Sequence, residues 1–157
     1  MKWRYHFLVN VLVLLPIVLL LPSPVYIDWC YLLFPIAAIS GHLPDFDVIL
    51  MKIGPWVHRD VFWHSFIVPA IATGLSLFFF INEPLILYSV GLFNIGYGVH
   101  LLVDFFPKME LAGFGLIHVW SDAKSESWSI RWLTVGFILS AIMGAGLITF
   151  TKIFLNF

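Results

Sequence analysis

The chain has 157 residues, of which 61% are hydrophobic and only 11% are charged, and its net charge is −1. A soluble domain is about 45–50% apolar and about 25% charged, so this composition is typical of a protein whose solvent is the lipid bilayer. The near-zero net charge gives no support for nucleic-acid binding, which needs a basic surface to neutralise phosphates. The single cysteine, Cys30, excludes an intramolecular disulfide and any metal site built from several thiolates.

Five apolar segments follow one another along the chain, and each approaches the length of about 20 apolar residues that a transmembrane helix needs. They are predicted at residues 5–21, 25–40, 65–81, 85–103 and 132–150. Turns that contain proline, at residues 22–24 and 82–84, separate the first segment from the second and the third from the fourth. We therefore predict an all-α fold: a polytopic membrane helix bundle of about five transmembrane helices, forming one integral membrane domain over residues 1–157.

The basic residues are distributed unevenly between the two sides that this arrangement defines. Of the eight Lys and Arg residues, only Lys152 falls on the side opposite the N-terminus. The others are Lys2, Arg4, Lys52, Arg59, Lys108, Lys124 and Arg131. Because cytoplasmic loops of membrane proteins are enriched in Lys and Arg, we predict a multi-pass cell-membrane protein with a cytoplasmic N-terminus and a C-terminus outside.

Three short segments hold most of the unusual polar residues. Residues 41–47 follow the second predicted span, residues 58–65 precede the third, and residues 96–104 end the fourth. All three are expected at the cytoplasmic edge of the bundle, so residues far apart in sequence can meet in space. Their His and Asp residues of interest are Asp45, Asp47, His58, His64, His100 and Asp104.

Imidazole and carboxylate are ligands for Zn²⁺ and for other first-row divalent metals. His100 and Asp104 are four positions apart, so they share one face of a helix and can grip one ion. Asp45 and Asp47 come just after a helix end, where a non-helical backbone lets both carboxylates approach an ion. Arg59 can hold a phosphate or a supporting carboxylate through its planar guanidinium.

Simpler interpretations of these residues remain open. Any one His or Asp near the membrane interface is commonly just solvated, and structural ion pairing, for instance of Asp104 with Arg59, is the main alternative to a metal site. Two weaker candidate ligands each have a second interpretation: His42 as a hydrogen-bond donor at a helix end, and His118 as a solvated loop residue. His6 is assigned to the membrane interface. Three glycines are assigned to close helix packing: Gly91, Gly96 and Gly98.

The motifs resemble those of the membrane-bound, metal-dependent hydrolase family of small inner-membrane proteins. Residues 44–47 match its Pro-Asp-x-Asp segment, and residues 100–104 match its His-x-x-x-Asp helix. Residues 58–65 resemble its His-Arg-Gly-x-Thr-His-Ser segment, with Asp60 in place of Gly, one extra residue before His64, and Trp63 where Thr is common. Motif order and helix layout agree from about residue 41 to residue 120.

This resemblance implies a hydrolase with one or two divalent metal ions, expected to be Zn²⁺, with Mn²⁺ or another first-row metal as the alternative. The ligands would be Asp45, Asp47, His58, His64, His100 and Asp104, with His42 and His118 as further candidates. A divalent metal lowers the pKa of a bound water to about 7. Asp45 or Asp47 would act as general base, and Arg59 would stabilise anionic charge in the transition state.

A site at the cytoplasmic interface suits a phosphate or acyl ester of a lipid as substrate, with the lipid bilayer itself as the other partner. The alternative to an enzyme is a non-enzymatic membrane protein, either a metal-stabilised scaffold or an ion carrier. A carrier is expected to place its polar ligands near the bilayer midplane. The predicted position at the edge therefore favours the enzyme, and a structural polar cap without metal is a third possibility.

Overall fold

The computed structural model describes residues 3–21, 29–54, 58–104, 116–119 and 122–154. This part of the chain is mostly helical, as predicted. Its helices are α1 (Trp3–Leu20), α2 (Trp29–His42), α3 (Asp47–Leu50), α4 (Ile67–Phe79), α5 (Pro84–Val103) and α6 (Glu126–Phe154). A 3-10 turn, Pro44–Phe46, joins α2 to α3. Two short strands, β1 (His118–Val119) and β2 (Asp122–Ala123), pair in antiparallel fashion before α6.

Among the described helices, α5 and α6 are long and apolar enough to cross a bilayer by themselves. A third crossing is reached if α2 and the segment Pro44–Leu50, which are bent by 50°, form one broken span or a re-entrant loop. The other two apolar helices are shorter. At about 1.5 Å per residue, the 13 residues of α4 cover about 20 Å of the roughly 30 Å hydrocarbon core. The predicted count of five spans is therefore not confirmed.

Each of the five predicted apolar segments nevertheless contains a helix. The last helix is the longest, and α6 begins at Glu126, six positions before the predicted segment. Residues 25–28 of the second segment and the turn at residues 22–24 lie outside the described residues. The short helix α3 and the two strands follow from no pattern in the sequence.

The central helix of the bundle is α5, which packs against α1, α2, α4 and α6. Its contact with α6 is close: a Cβ atom added to Gly144 would lie 2.5 Å from the carbonyl oxygen of Gly91. Its contact with α2 is equally close, since a Cβ atom on Gly96 would lie 2.3 Å from Oγ of Ser40. The predicted packing role of Gly91 and Gly96 is confirmed, and it brings the end of α5 close to that of α2.

A hydrophobic cluster lies beside the polar segments, near the C-terminal end of α5. It contains Tyr97, Leu101, Ile117 and Leu133, all fully buried. The hydroxyl of Tyr97 donates a hydrogen bond to the carbonyl of Trp63, which fixes the loop before α4 against α5. This contact places residues 58–66 beside the last turn of α5.

Candidate metal centre

Four parts of the fold converge at one end of the bundle. They are the first turn of α1, the junction of α2 and α3, the loop before α4, and the last turn of α5. Each contributes His or Asp side chains to one cluster: His6, Asp45, Asp47, His58, His64, His100 and Asp104. The polar segments predicted to meet in space therefore do meet.

Four ligand atoms lie at the spacing that a metal ion requires. Nε2 of His64 is 3.6 Å from Oδ1 of Asp45 and 3.3 Å from Oδ2 of Asp104. Nε2 of His100 is 3.7 Å and 3.6 Å from the same two oxygens. In a tetrahedral site with bonds of about 2.0–2.2 Å, neighbouring ligand atoms are about 3.3–3.6 Å apart. Four of the six separations in this group thus fit a tetrahedral ligand set, and all four ligand atoms lie within 4.8 Å of one another.

The burial of these atoms supports the same interpretation. His64 and His100 are fully buried, and Asp104 is nearly so. Nε2 of His64, Nε2 of His100 and Oδ2 of Asp104 have no hydrogen-bond partner among the described residues. Buried polar atoms in proteins are normally hydrogen-bonded, yet these three face one another. A divalent cation fits the three atoms, because one ion would satisfy all of them.

A hydrogen bond from Nδ1 fixes the orientation of the His100 ring. Its Nδ1 lies 3.0 Å from the carbonyl oxygen of Gly41, at the end of α2, and this acceptor requires the hydrogen on Nδ1. The lone pair of Nε2 then points towards the two carboxylates, as in metal-ligating histidines whose other nitrogen is hydrogen-bonded. The ring also stacks on His6, with centroids 4.1 Å apart and planes at 24°.

Asp47 contacts the imidazole of His64. Its Oδ2 is 3.3 Å from Nδ1 of His64, and its Oδ1 is 3.2 Å from Nδ1 of His58. Oδ2 also accepts hydrogen bonds from the backbone N–H groups of Arg59, at 2.6 Å, and Asp60, at 3.1 Å. The carboxylate is fully buried and engaged on both oxygens. It therefore holds the loop and lies against His64 through an ion-pair contact, in which Nδ1 of His64 does not have hydrogen-bond geometry.

The hydrogen bonds to Asp47 support an unusual backbone conformation in the loop before α4. Arg59 has a φ of 64°, in the left-handed region that non-glycine residues rarely occupy. The backbone on both sides is held: His118 N–H donates to the carbonyl of Arg59, and Val61 N–H donates to the carbonyl of His118. Together with the bond to Asp47, these contacts maintain the strained turn and place His58 and His64 on either side of one carboxylate.

The side chain of Arg59 also contacts the ligand group, which consists of Asp45, His64, His100 and Asp104. Nη2 is 3.4 Å from Oδ1 of Asp104, and Nη1 donates to the Asp104 carbonyl at 3.5 Å. The predicted Asp104–Arg59 ion pair is therefore present. It uses Oδ1 and leaves Oδ2 facing the imidazoles of His64 and His100, so ion pairing and metal binding are compatible at this carboxylate.

Two pKa shifts follow from this packing. Burial by itself lowers the pKa of His64, but the carboxylates of Asp104, Asp45 and Asp47 outweigh burial and raise it well above its ordinary value. Burial likewise raises the pKa of Asp104, but the nearby imidazoles of His100 and His64 outweigh it and hold the pKa well below the ordinary value. In the metal-free protein the His64 imidazole therefore retains a proton among ionised carboxylates.

The sequence of the chain decides its family. Residues 1–153 match the family described as YdjM inner membrane protein. The chain belongs to this family. Membership agrees with the apolar helices and shows an inner-membrane protein that resides in the lipid bilayer. No curated protein and no solved structure matches the chain.

In this YdjM-family chain, the six predicted ligands form two groups that share His64. One group is Asp45, His64, His100 and Asp104, and the other is Asp47, His58 and His64. The second group is less suited to an ion, because Asp47 Oδ2 already accepts two backbone hydrogen bonds and the His58 side chain is 43% exposed. The first group is therefore the better candidate for a metal site, with Asp47 behind His64.

The two weaker candidates belong to neither group within the described part of the chain. Nδ1 of His42 lies 2.5 Å from the carbonyl oxygen of Ala38, one turn earlier in α2, which fits the predicted role at a helix end. His118 lies in β1, and its backbone forms the bonds that hold Arg59 and Val61. It contributes to the site through the main chain.

The assignment of His6 to the membrane interface is wrong. Its side chain is buried, at 2% exposure, and Nε2 is 3.8 Å from Oδ1 of Asp104. A signal was available in the spacing of His6 and Asn10, two polar residues four positions apart on an otherwise apolar helix. Asn10 donates to Oγ of Ser40 at 3.1 Å, so this face of α1 packs on α2 and turns His6 inwards.

A cavity of about 670 Å³ lies beside the ligand group. Its polar end contains Asp45, His58, Arg59 and Asp104. The rest of its lining is formed by His6, His42 and the apolar side chains of α2, the α2–α3 junction and α3, which are Ile39, Leu43, Phe46, Val48 and Ile49. The volume falls within the range of about 300–1,000 Å³ that is usual for small-molecule sites. The ligand group is therefore accessible to a molecule considerably larger than water.

Proposed function

We propose that this inner-membrane protein is a divalent-metal-dependent hydrolase whose ion is held by Asp45, His64, His100 and Asp104. The observation that carries the proposal is the convergence of four ligand atoms next to an open cavity, with each imidazole nitrogen 3.3–3.7 Å from both carboxylate oxygens. Two imidazole nitrogens and two carboxylate oxygens suit Zn²⁺, with Mn²⁺ as the alternative.

Four protein ligands close a tetrahedral site, so a water could bind the ion only where Asp45, the half-buried ligand that lines the cavity, gives way to it. A divalent ion would lower the pKa of such a water to about 7 and so supply a nucleophile at neutral pH, with the displaced carboxylate of Asp45 beside it. The residues of the chain provide the remaining functions. Of the two carboxylates predicted as general base, Asp45 lines the cavity, whereas Asp47 is buried and bonded to the backbone. We assign the base to Asp45 and the orientation of His64 to Asp47.

Two cationic or polar groups complete the site on the cavity side. Arg59 lines the cavity with a guanidinium that is always charged and suited to phosphate or carboxylate oxygens. It would stabilise negative charge that develops on the substrate in the transition state. His58 stands at the half-exposed rim, where its Nδ1 lies 3.2 Å from Oδ1 of Asp47.

A metal-stabilised scaffold is the second candidate function. Its supporting observation is that the ligands come from the α2–α3 junction, the loop before α4 and the end of α5, which an ion would tie together. The cavity favours the hydrolase, because a structural ion needs no space of about 670 Å³ beside it.

The test is hydrolysis by the purified protein in detergent, loaded with Zn²⁺ or Mn²⁺, across a panel of phosphate and acyl esters. We expect activity that a chelator removes and that added metal restores. Asp45→Asn and His100→Ala should be inactive. Glu83→Gln, at the exposed opposite end of α5, should behave as wild type. A metal-loaded protein that cleaves nothing in the panel would favour the scaffold.

A further inference from the structure

The apolar wall of the cavity consists of side chains that also face outwards. Ile39 and Ile49 line the cavity and are each 55% exposed, and Phe46 and Val48 between them are exposed as well. The wall thus opens the cavity towards the surroundings through hydrocarbon side chains. Contiguous exposed apolar side chains of this kind mark a contact surface for lipid or protein, whereas His58 lies at the half-exposed polar side of the cavity.

The surroundings of this wall are identified by its place in the fold. The wall belongs to α2 and the segment Pro44–Leu50, the bent pair that qualifies as a broken span or a re-entrant loop. In an inner-membrane protein, exposed apolar residues on such a segment contact acyl chains. The cavity therefore opens towards the bilayer on its apolar side.

The opposite end of the cavity is suited to an anionic headgroup. Arg59 presents a planar guanidinium, a geometry that matches phosphate oxygens. The negative charges of Asp45, Asp47 and Asp104 are balanced by Arg59 together with a divalent cation. An anionic group can therefore approach the ligand atoms without net repulsion.

From this two-sided lining we infer that the substrate is a membrane phospholipid. Its phosphate group lies against Arg59 and the ligand group, and the upper part of its acyl chain lies along the wall from Ile39 to Ile49. The volume of about 670 Å³ accommodates a headgroup and part of a chain. This inference rests on the proposed hydrolase function and adds the substrate class and the route by which it reaches the site.

The first test compares two substrates that carry the same phosphodiester. One is phosphatidylglycerol in vesicles with phosphatidylethanolamine, and the other is glycerophosphoglycerol, which lacks acyl chains. With zinc-loaded protein we expect the lipid to have a kcat/KM at least about tenfold higher, because the bilayer that holds both the lipid and the protein raises the effective concentration of the substrate at the site. Equal cleavage of both substrates would overturn the inference while the hydrolase proposal stands.

The second test narrows the apolar side of the cavity by placing larger side chains there. We expect Ile49→Trp and Ile39→Trp to lower lipid hydrolysis at least about fivefold with zinc content unchanged, because the larger indole takes space that the acyl chain would occupy. The matched control is Ile71→Trp, at an exposed position on α4 that does not line the cavity. Unchanged lipid hydrolysis in both wall variants would overturn the proposed route.

Binding provides a readout that is independent of turnover. Purified zinc-loaded protein should retain a radiolabelled phosphonate analogue of phosphatidylglycerol, and Ile49→Trp should retain at least about fivefold less. Retention without cleavage of any ester would support the lipid site and contradict the hydrolase. No retention by wild type, or cleavage of neutral acylglycerols in preference to phospholipids, would overturn the inference.

Discussion

Nδ1 of His64 lies 3.3 Å from Oδ2 of Asp47. Asp47 is not one of the other three candidate ligands, Asp45, His100 and Asp104. Nε2 of the same ring is directed at Asp45 and Asp104. A carboxylate behind a histidine raises the basicity of the ligating nitrogen and fixes the ring. By this relationship a buried Asp would support a metal ligand without itself contacting the proposed ion.

Asp47→Asn is expected to weaken Zn²⁺ binding by about 10–100-fold without abolishing it, because groups that orient a ligand typically contribute that much. The affinity is measured by competition with a chromophoric chelator, and helix content is checked by circular dichroism. Glu83→Gln serves as the control and should bind as wild type. If folded Asp47→Asn binds no zinc at all, Asp47 is itself a ligand, contrary to the arrangement described here.

Substitution of His6 tests whether its ring stabilises the protein by packing on His100 without being a metal ligand. His6→Ala removes a buried ring that stacks on His100 and should destabilise the protein by about 1–3 kcal/mol. His6→Phe keeps a ring of similar size and should retain most of that stability. Both variants should still bind one equivalent of zinc, since His6 lies outside the ligand group. Thermal unfolding and metal analysis check both statements, and a stable His6→Phe protein without zinc would refute the second.

The raised pKa of His64 predicts that, as pH rises, the stability of the metal-free protein falls while its affinity for zinc rises. In the metal-free form, the protonated imidazole stabilises the fold fully below its ordinary pKa of 6.5, and this contribution is lost as pH rises through the higher folded pKa. Zinc must displace that proton, so its affinity should rise over the same window, by up to about tenfold per pH unit for one proton.

Melting temperatures with and without chelator, together with zinc affinities, between about pH 6.5 and 8.5 check these trends. We expect the metal-free protein to lose stability with rising pH while zinc binding tightens. The raised pKa of His64 would be contradicted by a zinc affinity that does not change across this window.

The close contact of α5 and α6 predicts a difference between two glycines on the same helix. Gly144→Ala places a methyl group 2.5 Å from the carbonyl oxygen of Gly91 and should cost about 1–3 kcal/mol through overpacking. Gly146 has open space around its Cβ position, so Gly146→Ala should be neutral or stabilise by up to about 1 kcal/mol. Equal melting temperatures for the two variants would show that the helices do not approach this closely.

Much of the helix layout could be predicted, because long apolar runs between proline-containing turns have few alternatives to a helix in a bilayer. The number of crossings could not be predicted in the same way. Apolar length does not reveal that α4 has only 13 residues, or that α2 continues into Pro44–Leu50 through a bend of 50°. These features depend on how the ends of the helices pack around the polar cluster.

The candidate site was predictable as a set of residues and much less so as an arrangement. The spacing of His100 and Asp104 on a helix predicted their shared face, and both belong to the ligand group. The role of Asp47 depends on a loop backbone with a φ of 64° at Arg59, which no sequence pattern indicates. The position of His6 depends on the packing of α1 against α2.

The most direct test of the account is the metal content of the purified protein after equilibration with Zn²⁺ or Mn²⁺ and removal of excess ion, measured by inductively coupled plasma mass spectrometry. We expect about one ion per chain in wild type and in Glu83→Gln, and almost none in His100→Ala and Asp104→Asn, which each lose one ligand of the four. Equally little metal in all four proteins would contradict the metal centre.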